Sequence, residues 1–121
     1  MAAFEEKTFD IGQTLFKEGE PGNNAYLIKS GKVKIVKDKG DDSKRTLATI
    51  GGGHIIGEMA LIDDKPRAAS AVALDLTVAM VISKDNFQER LGKTDPVIVR
   101  LLNTFADRLR EQSQRVVELM T

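Results

Sequence analysis

Two hydrophobic periods divide the chain. From residue 4 to about 82, apolar residues come in short runs broken by polar and glycine-rich turns. "AYLIKS" and "KVKIVK" are β-rich runs that meet at Ser30-Gly31, a junction that predicts a tight hairpin. "EGEPGNN" predicts a loop, with Pro21-Gly22 as its turn, and "KDKGDDSK" predicts a second polar turn. "RTLATI" and "TVAMVI" are further strands. The latter is apolar on both faces, which predicts a strand buried between layers. About eight short strands at this spacing predict a closed or rolled sheet.

After Ile82 the period becomes helical. Ser83 is a plausible N-cap for a short helix over about 84–91, stopped by Gly92. "TDPVIV" starts a second helix over about 96–119, with Asp95 or Thr94 as cap and Pro96 in the first turn. Ile98, Leu102, Phe105, Leu109, Gln112, Val116 and Leu119 are spaced 4, 3, 4, 3, 4, 3, an unbroken a/d heptad seam with one polar member. Such a seam serves either the chain's own sheet, with Val97 and Leu101 widening the stripe, or a partner helix. Its strict period favours a homodimer through 98–119. Gln112 would weaken a plain coiled coil, so it sets register or reaches a ligand.

Composition narrows the classes. A chain of 121 residues is expected to be a single domain spanning 1–121, and at this size roughly two-thirds of the unfolded surface is buried. Lys+Arg and Asp+Glu balance at 18 each, so no bulk charge points to nucleic acid. The chain has no cysteine, which excludes disulfides and thiolate metal sites. The N-terminal "MAAFEEKTFD" lacks an apolar core, and no run reaches the ~18 apolar residues of a membrane span. The expectation is a cytoplasmic protein that does not engage a membrane. His54, the single histidine, sits in a turn and has no evident co-ligands, so no metal site is expected.

The chemistry concentrates in "GEMALIDDKPRAASA", residues 57 to 71. Gly57 permits an unusual backbone angle and close approach of a ligand. "EMALI" predicts one helical turn whose first N–H groups can face an anion, as can the adjoining "IGGGH". Arg67 lies among small residues, and a guanidinium binds two phosphate oxygens at once and stays ionised away from water. Asp63 or Asp64 offers it a plain ion pair instead. Ala68 and Ala69 leave room for backbone N–H groups beside the same phosphate. Glu58 would be repelled by a phosphate, so its carboxylate suits hydroxyls at the other end of the ligand, such as those of a ribose. Phosphate plus ribose describes a nucleotide.

This stretch resembles the phosphate-binding cassette of cyclic nucleotide-binding domains, whose pattern runs F-G-E-(L/M)-A-L, a short turn, then P-R-(A/T/S)-A-(T/S). The upstream "LFKEGEPGNNAYLIKSGKVKI" resembles the family's early strands, and "SKDNFQERLGKTDPVIVRLLNTFADRLREQSQRVV" resembles the end of the sensor domain of bacterial catabolite-activator-like regulators. The resemblance implies a mainly β fold with C-terminal helices: an eight-stranded β-roll, or jelly roll, over about 4–82, a short helix in the cassette and a long C-terminal helix. It implies that Gly57, Glu58, Met59 and Ala60 meet ribose and phosphate, that Arg67 and the Ala68 N–H bind the cyclic phosphate, and that Ser70 lines the pocket. Members favouring guanine often carry a hydroxyl residue directly after the arginine, so Ala68 implies cAMP, with cGMP as the lesser ligand. Gln112 and Ser113 fall where the bacterial regulators contact adenine. Ile56 replaces the usual phenylalanine before Gly-Glu, a packing position.

The expected function is therefore a non-catalytic cAMP sensor that transmits binding through its C-terminal helix to an unknown effector or output domain. It requires no cofactor, and no DNA-reading helix follows within these residues. The alternative is a dimeric interaction module of the same fold that binds another small effector or no nucleotide. Neither a nucleophile with its base nor a metal cluster suggests an enzyme.

Overall fold

The computed structural model describes residues 4–38, 44–61 and 65–120, the side chains of 44, 109–110 and 112–120 excepted. Along the chain it forms two units, divided between Lys84 and Asp85.

The first unit is a roll of two four-stranded antiparallel sheets. Strands β1 (Glu5–Phe9), β3 (Asn24–Ser30), β6 (Ile55–Ile56) and β8 (Thr77–Ser83) form one sheet, in the order β1-β8-β3-β6. Strands β2 (Thr14–Phe16), β4 (Lys32–Asp38), β5 (Lys44–Gly51) and β7 (Ser70–Ala73) form the other, in the order β2-β7-β4-β5. Their inner faces share one core. Phe9, Tyr26, Ile28, Ile56 and Ala79 come from the first sheet, and Leu15, Val33, Ala71 and Ala73 from the second. "TVAMVI" is central in its sheet, paired with β1 on one side and β3 on the other, and none of its residues is exposed.

One expectation is overturned. β3 and β4 do not pair across Ser30-Gly31: β3 pairs with β6 and β8, whereas β4 pairs with β5 and β7. The junction is a corner where the chain leaves one sheet for the other. Gly31 makes it possible. Its φ is 101°, and a Cβ there would lie 2.5 Å from Thr77 Oγ1 and 2.6 Å from the Leu76 carbonyl oxygen. Buried Thr77 locks the corner from the other side, donating from Oγ1 to the carbonyls of Lys32 and Asp75. The true hairpin is β4–β5, paired from Lys32↔Gly51 to Asp38↔Lys44 with the register shifting between Ile35 and Val36. Most of the "KDKGDDSK" turn, residues 39–43, lies outside the described residues.

The second unit is helical. Helix α1 (Lys84–Gly92) begins directly after Ser83, and α2 (Pro96–Met120) follows. Asp95 is the cap of α2: its Oδ1 accepts from Val97 N–H at 2.8 Å, and its carbonyl accepts from Val99 N–H. Val97, Ile98, Leu101, Leu102 and Phe105 are all exposed. The seam residues from Leu109 onward have side chains outside the description. No helix among the described residues is long and apolar enough to cross a membrane.

Candidate functional site

The cassette begins where β6 ends. Gly57 turns the chain with φ 69°, and Glu58–Leu61 then form one 3-10 turn, closed at its start by Ala60 N–H donating to the Gly57 carbonyl. Ala60 and Leu61 are buried and anchor the turn to the roll, while Glu58 and Met59 are half-exposed. The amides at the start of such a turn have no acceptor within it, and they lie directly after the left-handed glycine. Sequence reasoning gave this turn correctly. The "GGG" run is used differently from the anion cradle expected of it. Gly53 N–H donates to the Ile28 carbonyl at 2.7 Å, and a Cβ on Gly52 would lie 2.9 Å from the Lys29 carbonyl oxygen. The run is a turn packed on β3. His54, beside it, is exposed, and its carbonyl accepts from Ile28 N–H. No group of side chains suited to hold a metal occurs among the described residues.

Arg67 reaches the cassette from the short irregular segment between Pro66, which bridges to Pro21, and the start of β7. Its Nη1 donates to the Gly57 carbonyl at 3.2 Å and its Nη2 to the Asn24 carbonyl at 2.6 Å. The guanidinium lies over the ring of Phe16, 4.2 Å from its centroid. Phe16 stacks on Tyr26, which meets Phe9 edge-on, so an aromatic column runs from the core to the arginine. Two glycines make room. A Cβ on Gly22 would come within 2.7 Å of Arg67 Nε, and one on Gly57 within 2.6 Å of Nη1. Backbone bonds fix the root of the side chain: Arg67 N–H donates to the Glu20 carbonyl, and the Arg67 carbonyl accepts from Gly19 N–H.

The electrostatics are those of a partly buried cation. Burial pushes the Arg67 pKa below its ordinary value, and the nearby Tyr26 and Glu20 oppose that shift. Two of the five guanidinium N–H groups go to carbonyls, and Nε is buried without a hydrogen-bond partner among the described residues. Asp63 and Asp64, the ion-pair partners the sequence offered, lie outside the described residues. A cationic fork beside a left-handed glycine and the first amides of a helical turn has the donor chemistry that a phosphate requires.

Of the residues expected at the site, the structure brings Gly57 and Arg67 into contact, with Glu58, Met59 and Ala60 in the adjoining turn and Ala68 next along the chain, in a bend before β7. Ser70 has a specific use: its Oγ accepts from Glu18 N–H at 2.9 Å. The side chains of Gln112 and Ser113 lie outside the description. Sequence reasoning missed Phe16, Gly22 and Asn24. No local signal marked them, because each meets Arg67 from more than 40 residues away in sequence.

Comparison with known proteins agrees with this geometry. Residues 6–94 match the family model of the cyclic nucleotide-binding domain. The chain belongs to that family. The domain is 32% identical to the cyclic AMP receptor protein of Thermus thermophilus over 111 residues, which cover 92% of this chain and 51% of that protein. It is 35% identical over 98 residues to a cAMP-dependent protein kinase regulatory subunit of Colletotrichum orbiculare, covering 81% of this chain and 24% of that protein. The chain thus spans about half the length of the first relative and a quarter of the second. Among solved structures, the half-site-occupied form of the EAL enzyme Bd1971 superposes with a TM-score of 0.80 at 35% identity, covering 92% of this chain and 99% of that one. The same enzyme is known in cAMP-bound and cGMP-bound forms, each similar to this chain with a TM-score of 0.74 at 34% identity. The match in sequence and fold identifies a cyclic nucleotide-binding domain.

Proposed function

We propose that the domain is a non-catalytic sensor that binds cAMP in preference to cGMP. The observation that carries this reading is the position of Arg67, with its guanidinium against Gly57 at the mouth of the Glu58–Leu61 turn. In this reading Arg67, the Ala68 N–H and the amides after Gly57 hold the cyclic phosphate. Glu58, half-exposed at the head of the turn, accepts from the ribose hydroxyl, and Met59, Ala60 and Ser70 complete the pocket wall. The alanine at 68 offers no hydroxyl to a guanine amino group, which favours adenine. The names of the Thermus and fungal relatives support the same preference.

Signal transfer is assigned to α2. Its exposed Val97, Ile98, Leu101, Leu102 and Phe105 continue into the seam that ends at Leu119, which suits pairing with a second copy in a cytoplasmic homodimer. Gln112 in that seam and Ser113, the next residue, would then meet the base. Binding would shift an existing equilibrium of the helix and so inform an effector protein or an attached output domain.

Calorimetric titration of nucleotide-stripped protein tests this. Saturable cAMP binding near one per chain is expected, with weaker cGMP binding. Arg67→Leu should weaken cAMP about a hundredfold, because a charged phosphate partner is lost. An unchanged affinity in Arg67→Leu would refute the phosphate assignment. Absence of heat and of a melting shift with either nucleotide would refute the sensor reading.

A further inference from the structure

We infer that Lys37 and Glu18 form a clamp that orients the phosphate-binding peptides of the cassette, and that ligand affinity depends on it; this rests on the cyclic nucleotide reading. Lys37 sits near the end of β4, and Glu18 lies in the loop after β2. Lys37 Nζ donates to Glu18 Oε1 at 3.1 Å and to the Ala68 carbonyl at 2.9 Å. Glu18 uses both carboxylate oxygens and its amide here: Oε2 accepts from Asp38 N–H at 2.9 Å, and its own N–H donates to Ser70 Oγ. Both side chains are less than one-third exposed, at 32% and 28%. A pair held this way does not resemble a mobile surface ion pair, whose contribution is small.

The consequence follows from peptide planarity. In a trans peptide the N–H points opposite to the C=O it is bonded to, so fixing a carbonyl fixes the next residue's amide. Gly19 N–H holds the Arg67 carbonyl, which aims the Ala68 N–H. Lys37 holds the Ala68 carbonyl, which aims the Ala69 N–H. The two successive amides beside Arg67 are thus set from one side by the loop after β2 and by β4, leaving their N–H groups directed away from those contacts. Glu18 keeps Lys37 in place and also ties down Ser70, two residues farther on. Preorganised donors bind an anion without the ordering cost that a loose loop would incur.

A positioning role and a simple charge effect predict opposite results at Glu18. If only charge near the phosphate mattered, Glu18→Ala would remove a repelling carboxylate and tighten binding. The clamp predicts weaker binding, about five- to tenfold, in Glu18→Ala and in Lys37→Met alike, with the double variant no worse than the weaker single one. Lys37→Arg should restore most of the affinity. The experiment is calorimetric titration of the full chain with cAMP, paired with melting of the ligand-free variants and amide exchange of residues 68–70. Faster exchange at Ala69 in cAMP-bound Lys37→Met is expected, with the melting temperature of the ligand-free protein little changed. Tighter or unchanged binding in Glu18→Ala, or unchanged binding in Lys37→Met, overturns the clamp while leaving the sensor reading intact. Weaker binding that merely follows a collapse in melting temperature and is not restored by Lys37→Arg also overturns it. Failure of the unchanged protein to bind either nucleotide overturns the sensor reading and the clamp with it.

Discussion

Replacing Gly57 with alanine puts two separable costs on one atom. The first is conformational. Gly57 has φ 69°, and a non-glycine residue in the left-handed region costs about 1–2 kcal/mol, part of which is returned by the stiffer unfolded chain. The second is steric. The new Cβ would lie 2.6 Å from Arg67 Nη1 and 3.2 Å from Phe16 Cε2. The guanidinium is the far end of a flexible side chain, so it moves aside rather than breaking the fold. Moving it loosens the 3.2 Å bond to the Gly57 carbonyl and the stacking over Phe16, together about 1–2 kcal/mol. Gly57→Ala should therefore destabilise the ligand-free protein by about 2–3 kcal/mol, a shift of roughly 1–2 M in a urea midpoint. In an Arg67→Ala background the atoms that clash are gone, so only about 1 kcal/mol should remain. Urea unfolding of the four proteins, followed by circular dichroism, measures both numbers. Equal costs of Gly57→Ala in the two backgrounds would refute the reasoning, since backbone strain alone would then account for the effect.

Three further outcomes are expected. Gly31→Ala should destabilise by about 3 kcal/mol in urea unfolding, because its Cβ would meet backbone atoms, the Leu76 carbonyl at 2.6 Å and Thr77 Cα at 2.7 Å, which cannot swing away. Asp95→Ala should remove the cap of α2 at a cost of about 1 kcal/mol, seen as faster hydrogen exchange of the Val97 amide. Phe16→Leu keeps an apolar contact but removes the ring face beneath Arg67, so titration with cAMP should show about tenfold weaker binding, since a partly desolvated cation–π contact contributes up to about 2 kcal/mol.

The sequence by itself determined the local elements and the chemical cast. Alternating runs such as "KVKIVK", the stop at Gly92 and the start at Asp95-Pro96 act over a few residues, so their signals are local, whereas Pro21, expected in a turn, instead bridges to Pro66. The cassette was legible for the same reason: Gly57, the Glu58 turn and Arg67 lie within one short stretch. Tertiary structure alone decided which strands pair. Ser30-Gly31 carries the composition of a hairpin turn, and only the closeness of Thr77 and Leu76 makes it a corner between sheets. It also decided what surrounds Arg67. Phe16, Gly22 and Asn24 meet it from 51, 45 and 43 positions away along the chain, counted by subtracting their numbers from 67. The Lys37–Glu18 pair likewise brings β4 and the loop after β2 to the Ala68 carbonyl. Hydrophobic period and turn chemistry are properties of neighbours in sequence. A buried cation's partners are chosen by which backbones the packed sheets bring within reach, and that follows from the closed roll as a whole.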